Sequence, residues 1–147
     1  MMPDFQKNKA LVLDYYRELD AASGDDITTV LRRYTSDDWH WRGMHPFYEQ
    51  HGADAVSEVF WKPLRRSFTS IQRRPDVFMA GRADATVENG IPGSEWVCSM
   101  GHLMGLFDEP WLGIPPSGKM GFLRYVEFNR IADGKIVETA LFCDIIS

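Results

Sequence analysis

Residues 120–146 read MGFLRYVEFNRIADGKIVETALFCDII, and this stretch decides the fold. Strand-forming residues lie on both sides of Ala132-Asp133-Gly134, a pattern typical of two strands joined by a tight turn. Glycine readily adopts the positive φ angle that such a turn requires. The stretch therefore predicts a hairpin with strands over residues 120–131 and 135–146.

Further strand-like segments precede this hairpin. Residues 94–107 form a long run suited to a strand, and residues 76–79 and 83–87 are shorter candidates bounded by turn signals. Residues 108–118 are too rich in proline to pair within a sheet and are expected to form a loop. The second half of the chain is thus predicted to be a mostly antiparallel sheet.

The first half of the chain has the residue spacing of amphipathic helices. Leu11, Tyr15 and Leu19 recur at four-residue intervals, which predicts a helix over residues 5–19. Residues 25–34 begin with acidic and end with basic side chains, which suits the helix dipole and predicts a second, shorter helix.

Two more segments complete the first half. Residues 38–42 alternate aromatic and polar side chains and predict a short strand. A helical pattern over residues 52–68 is interrupted at Pro63, where we expect a kink or a break, with the proline starting the second piece. Helices followed by strands predict an α+β fold in which helices cover one face of a curved sheet and leave an apolar pocket.

The composition excludes several classes of protein. A length of 147 residues predicts one domain, spanning residues 1–147. The composition, with 44% hydrophobic and 25% charged residues, is typical of a globular chain. We expect no membrane span. The balance of 16 basic and 21 acidic residues gives a net charge of −5, and the basic residues are scattered, so nucleic acid is not an expected partner. The N-terminus lacks the apolar core of a secretory signal, and both cysteines lie in apolar runs, so we expect a cytoplasmic location.

Asp144 is the most unusual charged residue, because every immediate neighbour in residues 141–146 is apolar. Strand alternation puts it on the same face as Phe142. If that face lines the pocket, desolvation would raise the pKa of Asp144 and suit it to general acid or base work near neutral pH. The alternative is a solvated charge near the end of the chain.

His102 is the second candidate for chemistry, on a predicted strand face that also carries Met100. Its imidazole could polarise a carbonyl or share a proton with Asp144; the alternative is a histidine that hydrogen-bonds a backbone carbonyl. Trp41 and His45 are expected at the pocket rim.

The remaining polar residues offer weaker signals. Arg124 and Glu127 lie on opposite faces of their strand, so one could point inward; an inward arginine would bind an anionic substrate group, and the alternative is cross-strand charge pairing on the outer face. His40, His45 and His51 are irregularly spaced and match no metal motif, and no glycine-rich loop matches a nucleotide site. We therefore expect neither a metal nor a cofactor.

The C-terminal half resembles the SnoaL-like polyketide cyclases and ester cyclases of the nuclear transport factor two-like superfamily. The resemblance covers roughly residues 95–144. It lies in the order Gly101-x-x-x-Gly105-x-Phe107, Leu112-Gly113-Ile114-Pro115-Pro116-Ser117-Gly118-Lys119 and Arg130-Ile131-x-Asp133-Gly134-Lys135-Ile136-Val137-Glu138, with Asp144 six residues later.

The resemblance implies a cone-shaped barrel: a strongly curved, mostly antiparallel sheet around a long helix, with a hydrophobic cavity and commonly a dimer. In cyclases of this family one carboxylate acts as acid and base in an intramolecular aldol ring closure without metal or cofactor, and its position corresponds to Asp144. The chain departs from the family at Thr139-Ala140, where a His-Trp pair is common, and at Leu103, where a histidine is common. A shift of one residue along a strand moves a side chain to the opposite face of the sheet, so the resemblance does not determine which face carries His102.

The leading hypothesis is a cofactor-independent enzyme that binds an apolar carbonyl or polyketide-like compound. Asp144 would move the proton, and His102 or His45 would stabilise the developing oxygen charge. The side chains expected to bind substrate are Trp41, His45, Met100, Arg124 and Phe142. The alternatives are a hydratase or hydrolase in which Asp144 activates water, and a non-catalytic binding protein. Because both faces of the last two strands carry apolar residues, we also expect a homodimer through the outer face of the sheet.

Overall fold

A computed structural model of the chain describes residues 5–83 and 93–146, apart from the side chains of residues 145 and 146. Its helical part comprises α1 (Phe5–Ala21), α2 (Asp25–Tyr34), α3 (Ala53–Val56), a π-helical segment (Ser57–Trp61) and α4 (Lys62–Ser67). The strands are β1 (Thr35–Gly43), β2 (Glu49–His51), β3 (Phe68–Arg82), β4 (Glu95–Phe107), β5 (Met120–Ala132) and β6 (Lys135–Ile146). No helix among these residues is long and apolar enough to cross a membrane.

The six strands form one sheet in the order β2-β1-β6-β5-β4-β3. Only β1 and β6 pair in parallel; the other neighbours are antiparallel. The hairpin predicted around Gly134 joins β5 to β6, and this glycine has a φ of 73°. The predicted α+β class is confirmed, with a curved sheet that stays open between the edge strands β2 and β3.

Pro63 lies in the first turn of α4, so the proline starts the second helical piece as predicted. The helix is irregular just before this proline, where Ser57–Trp61 form a π-helical segment. The chain stays helical at the junction, where Trp61 and Lys62 keep right-handed helical angles and the Lys62 N–H donates to the carbonyl of Ser57, five residues earlier. A proline removes one backbone donor, and here it follows directly on this π-type change in the hydrogen-bonding pattern.

The prediction for β3 was wrong in its extent. The strand runs over Phe68–Arg82 rather than residues 76–79, and it includes Pro75. Its pairing with β4 shifts register between Thr69 and Gln72 and again between Pro75 and Val77. An edge strand tolerates a proline because one of its sides needs no ladder hydrogen bond. The short strand predicted over 83–87 falls largely outside the described residues.

The two faces of the sheet differ in burial, which fixes where the core lies. The core face, packed against the helices, carries the buried side chains Val97, Leu103, Leu123, Tyr125 and Leu141. The opposite face, called the open face below, exposes Met79, Met100, Phe122, Phe128 and Phe142. Side chains alternate between the faces along each strand, so neighbours in sequence reach different environments.

Candidate functional site

Five of the seven predicted site residues gather around one depression on the open face. The depression has a volume of about 490 Å³. Those five residues are Met100, His102, Arg124, Phe142 and Asp144. The structure thus brings these five side chains together, around an open surface rather than an enclosed cavity.

Asp144 forms an ion pair with Arg124 across β5 and β6. Nη2 of Arg124 lies 2.7 Å from one carboxylate oxygen of Asp144, and Nε lies 3.2 Å from the other. Hydrogen bonding from Arg124 holds the pKa of Asp144 below its usual range. The expected raised pKa is thus wrong, because the open face leaves the carboxylate 58% exposed beside a permanent cation.

His102 pairs with a different carboxylate from the one predicted. Its Nδ1 atom lies 3.2 Å from Oδ2 of Asp76. The strand register places Arg124 between His102 and Asp144, since Arg124 is directly opposite each of them on its two neighbouring strands. The predicted proton sharing between His102 and Asp144 therefore has no direct contact to support it.

Trp41 and His45 lie away from the depression. Trp41 is fully buried in the core against Phe47 and Phe60, and its indole N–H has no hydrogen-bond partner among the described residues. His45 is exposed in the connection between β1 and β2, with Nδ1 2.6 Å from the hydroxyl of Tyr48. Neither forms a rim to the open depression.

The core face holds a different carboxylate, that of Glu127. Its side chain accepts a hydrogen bond of 2.5 Å from the Tyr16 hydroxyl of α1 and one of 3.0 Å from the Asn129 amide. Glu127 is only 1% exposed. A carboxylate can be buried when hydrogen bonds or charges compensate for its lost hydration, and the two donors supply that compensation.

These contacts extend into a buried chain of hydrogen bonds. The indole of Trp39 donates to the hydroxyl of Thr139 at 3.0 Å, and that hydroxyl donates to the Asn129 side-chain oxygen at 2.7 Å. Together with Tyr16 and Glu127, these side chains connect α1 with β1, β5 and β6. Linked hydrogen bonds of this kind restrict the side chains that form them; both donors to Glu127 bind its Oε1 atom.

Arg73 adds a buried positive charge next to this network. Its guanidinium lies 3.9 Å from the ring centre of Tyr16 and 5.0 Å from that of Tyr125, and it pairs with Asp20 at 2.8 and 3.1 Å. Burial lowers the pKa of Arg73, but the charge and hydrogen bonds of Asp20 outweigh burial and raise it overall. Burial, followed by the charge of Glu127, raises the pKa of Tyr16 well above its usual value.

The sequence contained a partial signal for this core site. Strand alternation places Glu127 with the buried Tyr125 and Asn129, and opposite to Arg124, so one of the two charged groups had to face inward. Tyr16 lies in the apolar pattern of α1, and Arg73 belongs to a basic pair that resembles ordinary surface charge. No spacing along the chain indicated that these groups meet.

The described residues also include one group of side chains suited to metal binding. It consists of His40, Glu49 and His51, at the edge of the sheet formed by β1 and β2.

Comparisons with known proteins identify the family. A family model described as SnoaL-like polyketide cyclase matches residues 13–147, and the chain therefore belongs to this family. No curated protein matches the chain.

Solved structures with the same fold come from several bacteria. A protein from Jannaschia sp. CCS1, assigned as a SnoaL-like polyketide cyclase, is 24% identical with a TM-score of 0.73, over 98% of this chain and 90% of that one. AclR from Streptomyces galilaeus, assigned as a hydroxylase, is 20% identical with a TM-score of 0.70, over 96% and 91%. An NTF2-like protein from Burkholderia thailandensis E264 is 19% identical with a TM-score of 0.63, over 92% and 89%. At these identities the likeness establishes the fold alone.

Proposed function

We propose that this chain is a small-molecule enzyme of acid–base type, acting on an apolar carbonyl compound, with Glu127 as the group that moves the proton. One observation carries the proposal: Glu127 is a buried carboxylate on the core face, directly hydrogen-bonded to the Tyr16 hydroxyl. Membership of the SnoaL-like polyketide cyclase family supports a reaction of the cyclase or isomerase type.

The proposed step begins with a C–H bond next to a substrate carbonyl. The Glu127 carboxylate takes the proton, and the electron pair of the C–H bond forms an enolate. The Tyr16 hydroxyl turns from Glu127 to the enolate oxygen and stabilises its charge by a hydrogen bond. In a ring closure the enolate carbon attacks a second carbonyl of the same substrate, and the resulting alkoxide takes the proton back from Glu127.

Glu127 suits this role better than Asp144 because of their surroundings. In the single chain, the Asp144 carboxylate is 58% exposed and its pKa is lowered by Arg124, so it is a weak base, and water competes for any oxyanion formed beside it. Glu127 is shielded from water. Substrate reaches its carboxylate by displacing the Tyr16 hydroxyl, which covers it in the structure. The predicted catalytic roles of Asp144 and His102 remain predictions, and the experiment below tests that of Asp144.

The test follows enolate formation without requiring the natural substrate. A panel of apolar aromatic methyl ketones in D₂O is incubated with the protein, and exchange of the hydrogens beside the carbonyl is followed by NMR. We expect the protein to accelerate exchange. Glu127→Gln should lower the catalysed rate by about 100-fold or more, which is the usual contribution of a general base.

Asp144→Asn is the matched control, because it also replaces a carboxylate by an amide on the same sheet. It should keep the wild-type exchange rate. If Asp144→Asn loses hydrogen exchange and Glu127→Gln keeps the wild-type rate, Glu127 is not the general base, and the open-face carboxylate of Asp144 takes that role. Circular dichroism checks that both variants are folded.

A second candidate function, non-catalytic ligand binding, is favoured by the open depression itself. Met100 and Phe142 supply half-exposed apolar surface beside the charge of Arg124, a combination suited to an apolar compound with one polar group. Saturable binding of the same ketones without hydrogen exchange, weakened by Phe142→Ala but not by Glu127→Gln, would support this function.

We also propose that the chain forms a homodimer through the open face. The support is the row of exposed apolar side chains, including Phe122, Phe128 and Phe142, on a sheet face that none of the described helices covers.

A further inference from the structure

We propose that His40, Glu49 and His51 form a binding site for a divalent transition-metal ion of the zinc type. The site lies at the sheet edge formed by β1 and β2. It is separate from the acid–base site proposed above and does not depend on it.

Strand pairing brings the three side chains together. His40 of β1 lies directly opposite His51 of β2 in the antiparallel register. Glu49 lies two residues before His51, on the same face of β2. One potential ligand atom from each side chain lies within 4.8 Å of the other two, and the two imidazole rings are stacked with centroids 4.8 Å apart.

The donor set determines the class of ion. Two imidazole nitrogens and one carboxylate oxygen suit Zn²⁺ and related transition metals, whereas Mg²⁺ and Ca²⁺ prefer oxygen ligands. Tetrahedral zinc with bonds of about 2.0–2.1 Å holds its ligand atoms about 3.3 Å apart. The stacked rings of His40 and His51 are nearly parallel, at 13°, so their in-plane nitrogen lone pairs do not yet converge on one point. Glu49 and His51 are exposed on a three-residue edge strand, so a change of side-chain rotamer can turn the His51 ring and close the remaining distance.

His40 provides a second, independent observation. Its Nε2 atom is buried and has no hydrogen-bond partner among the described residues; the carboxylate of Glu49 is 3.4 Å away, in a geometry that is not a hydrogen bond. A buried polar atom without a partner is unfavourable. A metal ion between His40 and Glu49 would satisfy this nitrogen.

Two guanidinium groups on the same face set the local charge. Arg42 lies 3.5 Å from Glu49 and 3.3 Å from Glu138, and Arg130 lies 3.1 Å from Glu138. Arg42 can therefore release Glu49 to a metal ion and keep its contact with Glu138. The fourth coordination position is left to water, since the described residues offer three protein ligands here, as in zinc sites that are open to a further ligand.

The experiment titrates the full chain, freed of metal with EDTA, with ZnCl₂ by calorimetry and with CoCl₂ by visible absorption. We expect one ion per chain, a tetrahedral cobalt spectrum, and no heat of binding with MgCl₂. His51→Ala and Glu49→Gln should each weaken Zn²⁺ binding by at least about tenfold, since even partners outside the ligand shell contribute about 10–100-fold. Both positions are exposed, so these variants are expected to fold.

His45→Ala and His102→Ala are matched controls, because each removes an imidazole outside the cluster. Both should bind Zn²⁺ as the unchanged chain does. Binding should weaken as the pH is lowered, because protons compete with the metal ion for the imidazole nitrogens. The proposal is overturned if no ion binds, or if the control variants weaken binding as much as His51→Ala. Glu127→Gln should bind Zn²⁺ normally, which keeps this outcome separate from the test of the acid–base site.

Discussion

At the scale of single residues, the structure explains the glycines of the Gly101-x-x-x-Gly105 segment. A Cβ atom at Gly101 would lie 2.1 Å from the carbonyl oxygen of Arg74, and one at Gly105 would lie 2.9 Å from that of Thr69. Both contacts are with the backbone of β3, close to its register shifts. Strand β3 can approach β4 this closely only where β4 lacks a side chain.

Gly101→Ala should therefore destabilise the chain. Overpacking against a fixed backbone typically costs about 1–3 kcal/mol of unfolding free energy, and urea unfolding followed by circular dichroism measures it. Gly81→Ala is the control, because Gly81 lies in β3 and a Cβ there would meet nothing within 4 Å. Equal midpoints for the two variants would show that β3 can move away from β4 at no cost.

At the scale of elements, two arginines hold the C-terminal end of α1 against the rest of the chain. Arg65 of α4 donates to the carbonyls of Leu19 and Asp20 at 3.0 and 3.1 Å, and Arg73 of β3 pairs with the Asp20 carboxylate. Cations at a helix C-terminus also interact favourably with its dipole. These contacts fix the C-terminal end of the α1 backbone against the sheet, and in the proposed step the Tyr16 side chain, which covers Glu127, is the part that moves.

Asp20→Asn should destabilise the chain because it leaves the buried Arg73 guanidinium without its counter-charge. We expect a loss of about 2–3 kcal/mol in urea unfolding. Asp14→Asn is the matched control on α1, since Asp14 is exposed and, within the described residues, its ion pair is with the exposed Arg17 three positions later; a pair of this kind contributes about 0.2–0.5 kcal/mol. Similar losses in the two variants would contradict the structural role given to Arg73.

At the scale of the whole molecule, each face of the sheet carries a different candidate site. The core face holds the shielded carboxylate of Glu127, and the open face holds the depression around Asp144 and a row of apolar side chains. A dimer through the open face would enclose that depression between two chains. The state of assembly therefore decides whether the ion pair of Arg124 and Asp144 faces bulk water.

Light scattering at micromolar concentration should report a dimer. Replacing Phe128 and Phe142 by lysine should produce a monomer, because two charges would have to be desolvated in the interface. Leu13→Lys serves as the control, since Leu13 is an exposed apolar residue of α1 and lies outside the sheet. A monomeric wild-type chain would contradict the proposed dimer.

Much of the fold could be predicted from local pattern. The four-residue spacing in α1, the first-turn position of Pro63 and the turn at Gly134 each depend on neighbouring residues, and all three are confirmed. Strand β3 was predicted too short because its bulges and its proline are acceptable only at a sheet edge. Its place at that edge is a property of the whole sheet.

The candidate sites could be predicted from the sequence only in part. Alternation along the strands determined from the sequence alone that Arg124 and Glu127 point to opposite faces, and that Asp144 shares its face with Phe142. Only the tertiary structure decided which face the helices cover, because that depends on how α1 docks against the sheet. The same holds for His40 and His51: their spacing matches no metal motif, and only the pairing of β1 with β2 brings the two imidazoles together.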